Sequence, residues 1–390
     1  MKAVAAPGAS SVEMIRTLVG FPTVSRDSNL ELIHYLRDYL KRYGAQMRLT
    51  YDDARNKANL FATLGTGEDG IMLSGHTDVV PVEDQPWESD PFALREVDGR
   101  LYGRGAADMK SFIACVLTVV PEMVERGLRM PLHLAFSYDE EVGCIGVGRI
   151  ISDLAKAGIR PRSCIVGEPT LMVPVIAHKG KKSYRCTVKG LAGHSAYAPH
   201  GVNAVEYAAE AVAFLKGMAR RHRDRGPYDR GFDVAHTTVH TGVIQGGTAL
   251  NVIPSECAFD FEFRHLPGDD PGRLLDEFTD YVRSALEPEM RRVHADTGFL
   301  IEPMSGIPML ETPPESEVVA LAQELANVYE IGKVSFGTEA SQFQHAGIST
   351  VVCGPGSIEQ AHKPNEFVTL EQVAKCEAFL RRLADRVCKA

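Results

Sequence analysis

The chain has 390 residues, 44% of them apolar and 24% charged, and carries a formal net charge of −9. That length favours two domains, on a prior of about 150 residues each, and leaves ample material for a buried core. The negative charge excludes nonspecific binding to nucleic acid or to an anionic membrane surface, because both would repel it.

Residues 1–10 lack the apolar run of a secretory signal, and no window approaches the roughly 20 apolar residues of a membrane span. A cytoplasmic location with no membrane partner is therefore expected. A helix over 30–43 is followed by strands at 60–64 and 71–74, a helix over 110–126, a strand at 132–137, a helix over 147–157 and a strand at 164–167. Such alternation predicts an α/β sheet with helices on both faces. After about Lys182 the pattern changes to a polar strand at 183–188, a helix over 203–218, alternating strands at 237–243 and 256–263, and a helix over 270–286. This β-α-β-β-α order predicts a smaller, ferredoxin-like α+β domain ending near Ala295. The α/β character then returns with a helix after Pro314, a strand at 350–353 and a helix over 370–387. The expected domains are thus a larger one, 1–182 with 296–390, and an inserted one, 183–295. Eight cysteines (Cys115, Cys144, Cys164, Cys186, Cys257, Cys353, Cys376 and Cys388) are scattered without a C-x-x-C pair. Most lie in apolar runs and read as reduced core residues.

Chemistry gathers after the strands. Ser74-Gly75-His76-Thr77-Asp78 puts His76 at a strand's C-terminal end, where open α/β sheets form ligand sites. Residues two apart in extended chain face the same way, so the Asp78 carboxylate can accept an N–H from His76 and fix the tautomer that binds a metal. The alternative is a buried structural His–Asp pair. Asp108 closes the glycine-rich turn Gly103-Arg104-Gly105-Ala106-Ala107-Asp108 before an apolar helix, either as a ligand or as an N-cap. Asp139-Glu140-Glu141 ends the strand at 132–137. Adjacent side chains point apart there, so one carboxylate can hold a metal while its neighbour faces a bound water; the alternative is a solvated acidic loop. Glu168 follows the strand at 164–167, and His362 lies downstream of the strand at 350–353.

The joint placement decides among these readings. Two carboxylates about 4 Å apart repel by roughly 4 kcal/mol at an effective dielectric of about 20. A cluster of four or five acids must therefore hold protons or cations. Oxygen and imidazole donors without thiolate suit zinc, cobalt or manganese.

The motif order H-T-D, G-x-x-D-M-K, D-E-E, G-E-P-T, G-H-S and A-H-K-P resembles the metallopeptidase family that contains aminoacylase, carboxypeptidase G and succinyl-diaminopimelate desuccinylase. The likeness covers nearly the whole chain. It implies a mixed catalytic sheet flanked by helices and an inserted dimerisation or lid domain. It makes Asp108 the ligand shared by two divalent cations, zinc foremost, with a cis peptide between Asp108 and Met109. One cation would add His76 and Glu168, the other Glu141 and His362. Glu140 would be the general base on a metal-bridging water, and Asp78 would support His76. The implied substrate is an N-acylated amino acid and the implied assembly a homodimer, in which His194 reaches the partner's site and stabilises the oxyanion. Read alone, His194 in its glycine-rich turn has a loop or packing role as the alternative.

Asn251 and Arg264 would help to hold the substrate, Arg264 through a free α-carboxylate; its alternative is a surface ion pair. The segments 101–110, 336–340 and 354–367 point within the family to deacetylation of an amino acid with a cationic side chain. Glu339 would then face that cation, or else cap a helix. Desuccinylation and general aminoacylase activity are the competing reactions. A noncatalytic relative would be expected to have lost a ligand or the base, and all are present here.

Overall fold

A computed structural model describes residues 8–389. The chain divides into two compact units. The first takes in the chain up to Ala177, Glu311–Gly332 and the chain from Thr338; the second comprises His178–Leu310 and Lys333–Gly337.

The first unit is built on a mixed sheet. Its strands run in the order Gln46–Tyr51, Ala58–Leu64, Leu132–Ser137, Ile71–His76, Ser163–Pro169, Ser349–Gly354 and Val175–His178. The four central neighbours, from Leu132–Ser137 to Ser349–Gly354, are mutually parallel, and the outer pairings are antiparallel. Ala58–Leu64, Ile71–His76, Leu132–Ser137 and Ser163–Pro169 are buried at every position. Burial on both faces explains why they read as continuous apolar runs rather than as alternating ones. Gln46–Tyr51 lies at the edge, half exposed, and its polar residues mask it in the sequence.

The helix Lys110–Arg126 packs beneath this sheet with Pro121 in its interior. Proline cannot donate to the carbonyl one turn back, and the Tyr39 hydroxyl donates to that Leu117 oxygen instead, at 2.9 Å. Gly167 brings strand and helix close together: a Cβ there would stand 2.0 Å from the Phe112 ring.

In the second unit four antiparallel strands run in the order Thr238–Gly246, Glu256–His265, Gly180–Lys189 and Gly298–Ile307. The helices Ala204–Arg225 and Pro271–Tyr281 supply Ala208, Leu215, Leu274 and Phe278 to a core with Phe259, Phe261 and Phe263. This is the ferredoxin-like βαββαβ arrangement. Its last strand, Gly298–Ile307, lies beyond Ala295 and contains Pro303, which weakens a strand signal and is tolerated at the sheet edge. All eight cysteines are free and buried. No helix among the described residues is long and apolar enough to cross a membrane.

Candidate metal centre

At the C-terminal ends of the parallel strands of the first unit, Nε2 of His76 lies 2.9 Å from Asp108 Oδ1 and 3.6 Å from Glu168 Oε1. Nε2 of His362 lies 2.9 Å from Glu141 Oε2 and 3.4 Å from Asp108 Oδ2. Asp108 thus offers one oxygen to each of two donor groups, His76–Asp108–Glu168 and Asp108–Glu141–His362. It does not act as a helix cap: the residue before the helix is Met109, without a side-chain capping bond. The Asp108–Met109 peptide is cis. His76, Asp108 and Glu168 are buried, whereas the His362 side chain is 53% exposed.

The electrostatics fit two cations. Oε1 of Glu168 is buried with no hydrogen-bond partner, an arrangement that a cation resolves. Burial, reinforced by the Asp108 charge, pushes the Glu141 carboxyl up to about 7 and that of Glu168 well above its ordinary value. Glu140 is pushed up to about 8, mainly by burial. Burial opposes the charged form of His76, but Glu168 and Asp108 outweigh it and raise that imidazole. Hydrogen bonds to Asp108 and Glu141 raise His362 to about 10. Without cations, then, the cluster holds protons.

Asp78 serves differently from the expectation. The partner of His76 Nδ1 is the Asp78 carbonyl oxygen at 2.9 Å; the carboxylate stands 3.7 Å away. The strand ends at His76, so the same-face rule for extended chain no longer governs residue 78. The carboxylate instead accepts from the Ser25 hydroxyl at 2.7 Å and from the backbone N–H groups of Glu140 and Glu141 at 3.1 and 3.3 Å. Asp78 thereby orients His76 through its backbone and the Glu140–Glu141 turn through its side chain. The Cys144 thiol donates to Glu140 Oε1 at 3.2 Å. Nothing in the sequence around Ser25 or Cys144 signals these contacts.

Peptidase family M20/M25/M40 matches residues 72–386. The chain belongs to this family. Among M20 relatives, the acetylornithine deacetylase of Myxococcus xanthus is 40% identical over 385 residues, covering 95% of this chain and 96% of its own. That of Proteus mirabilis is 34% identical over 389 residues, covering 97% of each. The fold is shared with a tripeptidase from Staphylococcus aureus (TM-score 0.76, 18% identity, 98% of this chain and 100% of the other). It is shared likewise with an aminopeptidase from Bacillus cereus (TM-score 0.73, 21% identity, 95% and 96%).

The remaining residues expected from the M20 pattern are placed as follows. Glu339 is fully buried, and its two oxygens accept from the hydroxyls of Ser74 and Ser137 at 2.7 and 2.6 Å. It does not cap the helix Ala340–His345 through its side chain. Hydroxyls on two neighbouring strands of the sheet, Ile71–His76 and Leu132–Ser137, claim it instead. In the second unit, Gly193–His194 pairs with Val252–Ile253, and the Ser195 N–H donates to the Asn251 carbonyl, so His194 and Asn251 lie together at an exposed corner. His194 Nδ1 accepts from the Ala196 N–H, which leaves Nε2 as the donor of a neutral ring. Arg264 is partly exposed and donates to Glu262 at 2.9 Å, the ion-pair alternative.

Proposed function

We propose that this chain removes the acetyl group from N2-acetylornithine, giving ornithine and acetate, a step of arginine biosynthesis, at a centre of two divalent cations. The observation that carries the metal centre is Asp108 lying between two donor groups; the curated M20 relatives supply the substrate. His76 and Glu168 would hold one cation and Glu141 and His362 the other, with Asp108 shared. When bound, the cations would polarise the amide carbonyl and acidify a water between them. Glu140 takes the proton from the attacking water and delivers it to the leaving amine. Because Cys144 occupies Oε1, the other oxygen of Glu140 is left for that proton. Arg264 would exchange Glu262 for the substrate α-carboxylate. The free buried cysteines suit a cytoplasmic setting.

Metal-stripped protein reloaded with Zn, Co or Mn is expected to show a higher kcat/KM for N-acetylornithine than for N-succinyl-diaminopimelate or N-acetylmethionine. Preference for the succinyl substrate would make the chain a desuccinylase, and preference for N-acetylmethionine an aminoacylase.

The same reading makes the protein a homodimer with His194 acting across the interface. Two features support it: the exposure of His194 with its Nδ1 already engaged, and the edge strand Thr238–Gly246, on which Val243 and Ile244 are exposed. The variants His194→Ala and Glu140→Gln are each expected to be inactive. Mixed and allowed to exchange subunits, they should regain about a quarter of wild-type sites, because half the dimers are hybrids with one complete site each. A mixture that stays inactive despite hybrid formation would place His194 in its own subunit's site.

A further inference from the structure

Arg104 and Glu366 are both about 1% exposed, and their side chains pair at 2.7 Å although they lie 262 residues apart in the chain. Glu366 accepts more than this guanidinium. Its Oε1 takes the N–H groups of Ala107 and Asp108 at 2.8 and 3.0 Å, and its Oε2 takes that of Gly105 at 3.1 Å. Its carbonyl takes the N–H of Gly103 at 2.9 Å. One residue thus gathers nearly the whole turn that delivers Asp108. Arg104 works in the opposite direction, donating to the Lys363 carbonyl at 3.3 Å and to Gln85 Oε1 at 2.7 Å, while Gln85 donates to the His362 carbonyl at 3.4 Å. The guanidinium also lies over the Trp87 ring at 5.1 Å. His362 and Asn365 have φ of 61° and 57°, a region non-glycine residues rarely occupy unless surrounding contacts hold them there.

We propose that the Arg104–Glu366 pair is a positioning brace that sets the spacing between Asp108 and His362 and thereby the affinity of the Asp108–Glu141–His362 cation site. His76 and Glu168, which would hold the other cation with Asp108, sit within strands of the sheet and do not depend on where His362 is placed. Removal of an outer partner that orients a ligand costs about 10–100-fold in metal affinity, and here the loss falls on one of two sites.

The inference rests on the two-cation reading above, and a single titration separates the two. Metal-stripped full-length protein is titrated with Co2+ by calorimetry and visible absorption for the wild type, Glu366→Gln, Arg104→Lys, Gln85→Ala and His362→Ala. The wild type is expected to take two ions. Glu366→Gln and Arg104→Lys are expected to weaken one of them by about 10–100-fold, the same ion that His362→Ala removes, and to shift the other far less. Gln85 is only partly buried, so Gln85→Ala is expected to fold and to weaken the same ion to a smaller degree. If the buried-pair variants do not fold, Gln85→Ala decides alone. Unchanged affinities in folded variants, or equal weakening of both ions, would overturn the brace. A wild type that takes fewer than two ions would overturn the two-cation reading, and the brace with it.

Discussion

Glu140→Gln is expected to bind two cations as the wild type does and to lose about 10²–10⁴-fold in kcat, the span that a positioned general base contributes. The amide keeps the shape of the side chain and can still accept from Cys144, while the Glu140 N–H bond to Asp78 belongs to the backbone and is unaffected. No donor group of either cation includes Glu140. The change therefore removes a proton acceptor and leaves the architecture intact. Metal content by elemental analysis and steady-state kinetics on N-acetylornithine read the two halves separately. Near-wild-type turnover would assign the base elsewhere, and loss of a cation would make Glu140 a ligand.

Asp108→Asn is expected to abolish activity and to cost both cations, beyond the roughly 10–100-fold that loss of an outer partner costs. Asp108 is the one residue common to the two donor groups. The wild type should gain about 2.7 kcal/mol of stability from each cation present at 100 times its Kd, and the variant close to none. Thermal melts with and without Co2+ measure the difference. The pH dependence follows from the same groups. In the metal-free protein burial holds the Glu141 carboxyl up at about 7 and hydrogen bonds to Asp108 and Glu141 hold His362 up at about 10, so near neutral pH the imidazole and part of the Glu141 population carry protons that a cation must displace. Wild-type metal affinity should accordingly rise from pH 6 to pH 8, with protons released on binding. Calorimetry in buffers of different ionisation enthalpy detects that release. A pH-independent affinity would show that these groups hold no protons for a cation to displace.

The sequence announces the parts of this protein that are apolar and continuous. Ile71–His76, Leu132–Ser137 and Ser163–Pro169 are buried on both faces, so their runs stand out, and the acids and histidine at their ends stand out with them. Gly298–Ile307 is hidden because an edge strand tolerates Pro303 and exposes Leu300 and Met304. The side-chain partners of Asp78 were out of reach for another reason. They depend on how the chain turns after His76, and periodicity carries no information about a turn. Glu339 belongs with them, since the two serine hydroxyls that claim it come from strands far away in the chain. Arg104 and Glu366 both lie within recognisable motifs, yet only their spatial meeting gives either a role.

The two donor groups also differ in how they come together during folding. His76, Asp108 and Glu168 belong to one stretch of chain that precedes the second unit, whereas His362 arrives only after that unit has been traversed. The returning strand Ser349–Gly354 must slot between Ser163–Pro169 and Val175–His178 before His362 is in place. Contacts that close so long a loop spend chain entropy early and return energy late. Occupancy of the His362 group therefore marks completion of the sheet. In a refolding chain, the second cation would act as a reporter of finished topology.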